Sequence, residues 1–103
     1  MNRYLLHGKL RAQEGKGHEL SQILLRAADM LQSANGCQLY AVSVEEGVPD
    51  DIWITEIWDT KEDHDNSLKS VEIKNLISTA IPLLAGNPEG GLALHVIGGL
   101  GVQ

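Results

Sequence analysis

The order of segments in this 103-residue chain predicts an α+β fold, a ferredoxin-like βαββαβ plait whose antiparallel sheet carries helices on one face. Three observations lead there. Runs rich in β-branched and aromatic residues alternate with stretches of helical periodicity in that order. A Gly-, Pro- and Asp-bearing connector sits between the second and third strand-like runs, as a hairpin wants. Finally, the strands are apolar on both faces, whereas helices can cover only one. The second face needs a partner, and a copy of the same sheet is the simplest one, so a homodimer with sheets face to face is expected.

Residues 3–12, RYLLHGKLRA, fit a first strand ending before Gln13-Glu14-Gly15. From Gly17 to Ala34 the apolar positions Leu20, Ile23, Leu24, Ala27, Leu31 and Ala34 recur at helical spacing, and Asn35-Gly36 offers a left-handed stop. CQLYAVSVE (37–45) and IWITEIWD (52–59) read as strands joined through EGVPDD. Thr60, three residues before Asp63, caps a helix that runs to about Ser70. Ile73, Leu76, Ile77, Ala80, Ile81 and Leu84 form a further helical set, ended by Pro82 and closed by Gly86-Asn87-Pro88. LALHVIG (92–98) is the last strand. On it Leu92, Leu94 and Val96 oppose Ala93 and Ile97; on the second strand Tyr40, Val42 and Val44 oppose Leu39 and Ala41. No linker or repeat interrupts the chain, so 1–103 is expected to be a single domain.

Charge removes several function classes. The net charge is −6 and the eight Lys and Arg residues are scattered, which disfavours nucleic acid and anionic membrane surfaces. Cys37 is the only cysteine, so an internal disulfide is impossible and a cytoplasmic setting is expected. No run approaches the ~20 apolar residues of a membrane span, and MNRYLLHGKL lacks a signal-peptide core. His7 and His95 sit mid-strand, but no close-spaced ligand pair supports a metal site, and none is expected. The final GGLG lacks the strand-to-helix context of a phosphate loop.

With two Trp, two Tyr and no Phe, the four aromatics are the natural candidates for ligand contact. Trp53 and Trp58 are five apart, so they belong to opposite strand faces: one suits a pocket, the other a dimer interface. The most informative residue is His64. Helical spacing puts it on a stripe with Leu68 and Val71, leaving Lys61, Glu62, Asp65 and Lys69 to water. Its imidazole should therefore point under the helix, near Trp58. There it would either tie down the helix through a backbone carbonyl or Glu56, or serve as a base that titrates near neutrality.

RYLLHGKLRAQEGKGHEL, GCQLYAVS and above all TEIWDTKEDHDNSL resemble the antibiotic biosynthesis monooxygenase family over nearly the whole chain. LLAGNPEGG resembles its quinol monooxygenase subgroup. The resemblance implies a dimeric α/β barrel that oxidises quinols or anthrone-like phenols with O2, without metal, flavin or haem cofactor. In that frame His64 is the base and Glu56 fixes its tautomer. Trp58, Trp53 and Tyr40 would stack on a small aromatic substrate, and His7 joins the substrate-binding candidates. A haem-degrading branch shares the fold, but its working positions fall here on Leu6, Ser67 and Ile77, none of which matches. A different class of function stays open beside the monooxygenase: a non-catalytic small-ligand-binding or stress-associated barrel protein.

Overall fold

The computed structural model describes residues 3–86 and 91–102. Its elements run β1 (Arg3–Arg11), α1 (Gly17–Leu31), β2 (Cys37–Glu45), β3 (Val48–Trp58), α2 (Lys61–Ser67), α3 (Val71–Ala80), a 3-10 turn (Ile81–Leu83) and β4 (Leu92–Val96). This is the expected plait, with its second helical region in two pieces. The four strands are antiparallel, in spatial order β2-β3-β1-β4.

Register sorts the side chains onto two faces. Trp58, Glu56, Ile54 and Ile52 of β3 pair with Tyr4, Leu6, Gly8 and Leu10 of β1, and these share the face under the helices. Leu20, Ile52 and Trp58 are the largest fully buried side chains; α1 supplies Ile23 and Leu24 beside Leu20 and Ile52, while Trp58 packs in a second cluster with Leu31 and Ile73. The other face holds Leu5, His7, Leu39, Trp53, Leu92 and Leu94, and no helix covers it. Leu39, Leu92 and Leu94 remain 40%, 59% and 48% exposed. No helix among the described residues is long and apolar enough to cross a membrane.

Several boundaries differ from the periodicity, each for a local reason. Helix α1 stops at Leu31, and the chain turns so that Ala34 N–H donates to Leu31 O at 3.1 Å. Ala34 still packs beside Leu31, Trp58 and Ile73, so its place on the apolar stripe is kept by a turn. Gly36, at φ 79°, then redirects the chain into β2. Only Glu46-Gly47 forms the hairpin turn, with Gly47 at φ 82°, and β3 begins four residues earlier than expected. Glu45 pairs with Val48 but Val44 pairs with Ile52, so residues 49–51 bulge out of the β2–β3 ladder, while Asp51 keeps its pairing with Arg11 of β1.

The bulge has a task. Asp50 Oδ2 accepts from Gly15 N–H at 3.1 Å and Oδ1 accepts from Gly17 N–H at 2.9 Å, which caps the start of α1 from another strand. Next door, Asp51 receives Arg11 Nε at 3.0 Å.

Helix α2 ends at Ser67, short of Ser70, because the Ser70 side chain caps α3 by accepting from Ile73 N–H at 3.4 Å. Val71 therefore starts a new helix axis and is 69% exposed, so the stripe through His64, Leu68 and Val71 is broken. The 3-10 turn around Pro82 ends the third helix as anticipated. β4 stops at Val96, two residues short of Gly98. Of the Gly86-Asn87-Pro88 stop, Asn87 and Pro88 lie outside the described residues.

A methyl group on Gly17 would sit 1.9 Å from the Pro49 carbonyl oxygen. The helix-propensity gain of Gly17→Ala, at most ~1 kcal/mol, is therefore outweighed by overpacking of ~1–3 kcal/mol. We expect a lower urea midpoint with an unchanged slope, measured by circular dichroism.

Candidate active site

The β3–α2 junction aims the central side chain. Thr60 leaves the sheet in extended conformation, and its hydroxyl accepts from Asp63 N–H at 3.0 Å, so α2 starts immediately after the strand. The next turn places His64 over the sheet, its side chain 16% exposed. Its ring centroid lies 5.7 Å from that of Trp58 in an edge-on arrangement and 5.9 Å from that of Tyr4.

His64 Nδ1 lies 3.0 Å from Asp65 Oδ1, and Asp65 Oδ2 receives Lys61 Nζ at 2.7 Å. Lys61, and His64 after it, hold the Asp65 carboxyl below its ordinary range. An ionised carboxylate can only accept hydrogen bonds, so Nδ1 is the protonated nitrogen of the neutral ring and Nε2 keeps the lone pair. The tautomer is fixed by Asp65. Glu56, expected in that role, instead accepts from Trp58 Nε1 at 3.0 Å.

Burial pushes the Glu56 carboxyl above its ordinary value; the indole N–H and the nearby His64 only partly oppose this. Tyr40 stands opposite Glu56 on β2, and burial, with Glu56 second, raises its phenol as well. Tyr40, Glu56 and His64 meet at a cavity of about 100 Å³ between the sheet and the three helices. Ile23, Leu24 and Ala27 of α1 and Leu76, Ile77 and Ala80 of α3 make most of its wall. The arrangement suits an aromatic ring held by apolar contacts, with a proton acceptor and two further polar groups at its edge.

The sequence profile of the antibiotic biosynthesis monooxygenase family matches residues 3–78. A solved structure from Chloroflexus aurantiacus, provisionally named an antibiotic biosynthesis monooxygenase, is 36% identical, covers 98% of this chain and 99% of its own, and superposes with a TM-score of 0.86. This chain belongs to the antibiotic biosynthesis monooxygenase family. A conserved protein of Methanosarcina mazei (18% identity, 91% of this chain and 92% of that one, TM-score 0.81) shares the fold. So does a Pseudomonas aeruginosa protein (14% identity, 95% and 97%, TM-score 0.83). No curated protein matches the sequence.

Within this antibiotic biosynthesis monooxygenase domain, three of the six site residues read from the sequence come together: His64, Glu56 and Tyr40. Trp58 is beside them but 0% exposed, so it offers no face for stacking and braces Glu56 and His64 from behind. Trp53 and His7 stand on the opposite face of the sheet, because their parity along β3 and β1 is that of Ile57 and Leu5. They stack on each other at 5.2 Å, with His7 Nδ1 2.9 Å from Thr55 Oγ1 and Lys9 Nζ 5.7 Å from the Trp53 ring centroid. His7 and His64, on opposite sides of the sheet, cannot share a metal ion. Among the described residues no cluster of three or more His, Cys, Asp or Glu side chains is arranged to hold a metal.

Sequence reasoning did not single out Tyr4 among the four aromatics, and although it placed Asp65 toward solvent, where it lies, it missed that Asp65 partners His64. The signal for Tyr4 was pairing: residues at the free end of β1 lie across from the end of β3, which carries Trp58. For Asp65 it was the Lys61 four residues earlier, which holds the carboxylate in place.

Glu56 binds its proton more tightly in the folded than in the unfolded chain, so its contribution to stability is present at low pH and fades as pH rises through the raised value. Glu56→Gln keeps an acceptor for Trp58 and carries no charge. Thermal melts should show the variant more stable than the parent at pH 7, with the difference vanishing below the ordinary glutamate range.

Proposed function

We propose that this protein is a cofactor-independent monooxygenase that oxidises a quinol or anthrone-like hydroxylated aromatic compound with O2, with His64 as the proton acceptor. One observation carries this reading: a shielded imidazole whose tautomer leaves Nε2 basic, at the edge of an apolar cavity. Family membership supports the reaction class.

Ground-state O2 is a triplet and reacts slowly with closed-shell molecules, whereas a deprotonated phenol gives up an electron readily. His64 Nε2 takes the phenolic proton. The anion passes one electron to O2, and the carbon-centred radical and superoxide combine to form one C–O bond. The peroxide then takes a proton, loses the carbon-bound hydrogen as a second proton and breaks its O–O bond. One oxygen stays as a carbonyl and the other leaves as water. For a simple hydroquinone the balance is quinol plus O2 giving hydroxyquinone plus water. Glu56, a carboxyl biased toward its protonated form, is suited to donate to an oxygen during this sequence. Tyr40 lines the cavity beside it and would contact the ring. The apolar wall limits water, which would otherwise compete for the intermediates. The single cysteine supports a cytoplasmic setting.

An oxygen electrode, metal-free protein and a panel of quinols and anthrones test the assignment. His64→Ala should keep the fold and lower turnover by ~10²-fold or more. Unchanged oxygen uptake removes His64 as base, and ligand binding without any uptake by the parent protein turns the assignment into a carrier.

We also propose a homodimer through the helix-free face, where Leu39, Leu92 and Leu94 leave apolar surface open. Sedimentation should give a dimer for the parent and a shift toward monomer for Leu94→Lys. A monomeric parent would contradict the proposal.

A further inference from the structure

The cavity beside His64 does not stand alone. A second hollow of about 300 Å³ lies between the C-terminal end of α1 and the α2–α3 corner, and Leu31, Ser67 and Ile73 line both. Leu31 and Ile73 are buried, and Ser67 is the small member of the three. Its hydroxyl donates to the His64 carbonyl oxygen at 2.6 Å, which turns it back onto the helix. The partition between the two hollows is therefore two aliphatic side chains and one serine.

The two hollows differ in chemistry. The inner one is walled mainly by aliphatic side chains. The outer one carries Asp63, Glu72, Asn35 and Asn66, and no Lys or Arg among the described residues lines it. Helices α1 and α2 both end beside it, at Leu31 and Ser67, and turn their negative ends toward it. The opposing positive end, the start of α3, is occupied by the Ser70 cap and by Glu72 in its first turn. The outer groove is thus rich in acceptors and negative.

Size decides what the inner cavity holds. At about 100 Å³ the inner cavity is smaller than the ~150 Å³ apolar cavity that takes up benzene, so it takes at most one ring and not the three fused rings of an anthrone. We infer that the substrate is a single-ring quinol bearing a neutral or cationic substituent, with its ring beside His64 and its substituent past Ser67 in the acidic groove. This inference rests on the proposed quinol oxidation for its chemistry, but the site it describes is defined by binding.

Three hydroquinones with equal-length aminoalkyl, hydroxyalkyl and carboxyalkyl substituents, together with anthrone, test it. Dissociation constants come from anaerobic calorimetry and turnover from oxygen uptake. The aminoalkyl and hydroxyalkyl compounds should bind more tightly than the carboxyalkyl one by about fivefold or more, as two nearby carboxylates at a partly exposed site require, and anthrone should bind most weakly. Glu72→Lys should shrink or invert the aminoalkyl-to-carboxyalkyl ratio, which is taken within one variant so that any loss of folded protein cancels. If Glu72→Lys does not fold, Glu72→Gln should shrink the ratio by a smaller factor. Equal binding of the charged pair, preferred binding of anthrone, or a ratio unmoved by substitution at Glu72 overturns the inference. The expected binding order without oxygen uptake upholds the two-part site and removes the monooxygenase reaction instead.

Discussion

Trp58 is the constraint on which the rest of this structure depends. It closes β3 one residue before the chain turns toward α2, and it is wholly buried. Its N–H binds the Glu56 carboxyl and its ring packs nearly perpendicular to the His64 imidazole. One indole thereby sets the position of two of the three titratable groups that face the cavity. Burying an indole requires a partner for its N–H, and burying a carboxyl requires a donor; here each meets the need of the other.

That solution leaves a residue of strain on stability. Glu56 sits where its charged form is poorly solvated, and only the indole and the nearby histidine compensate. A protein selected for stability alone would place a neutral side chain there. Retention of an acid in an apolar chamber is a local cost to folding that the rest of the structure offsets. Asp65 and Lys61 show the opposite arrangement: exposed, mutually paired and inexpensive, they orient the imidazole from the solvent side without entering the cavity.

Much of this was legible in the sequence. Alternation and helical spacing located every element, Thr60 announced the start of α2, and the even-handed apolar pattern of β2 and β4 announced a sheet with one uncovered face. Parity also separated Trp53 from Trp58. It did not say which of the two faces the helices cover, so Trp53 and His7 were grouped with a site from which the sheet divides them. The Lys61–Asp65 spacing marks a held carboxylate, but the choice of Asp65 over Glu56 as the partner of His64 depends on side-chain torsions that spacing does not give. The bulge at residues 49–51 was hidden because Pro49 and two acids read as loop. The pull of the α1 N-terminus on Asp50 is a tertiary effect.

A four-stranded sheet lined on both sides with specific residues has no neutral direction in which to slide. Were β3 to slip by a single position against β1, Ile57 and Thr55 would face the helices and the indole–carboxyl pair would emerge on the outer surface, while the Trp53 ring turned inward. Length changes inside residues 52–58 would therefore turn the molecule inside out, cavity lining and helix-free face alike. The Glu46-Gly47 turn, outside that window, is where this architecture has slack for growth over evolutionary time.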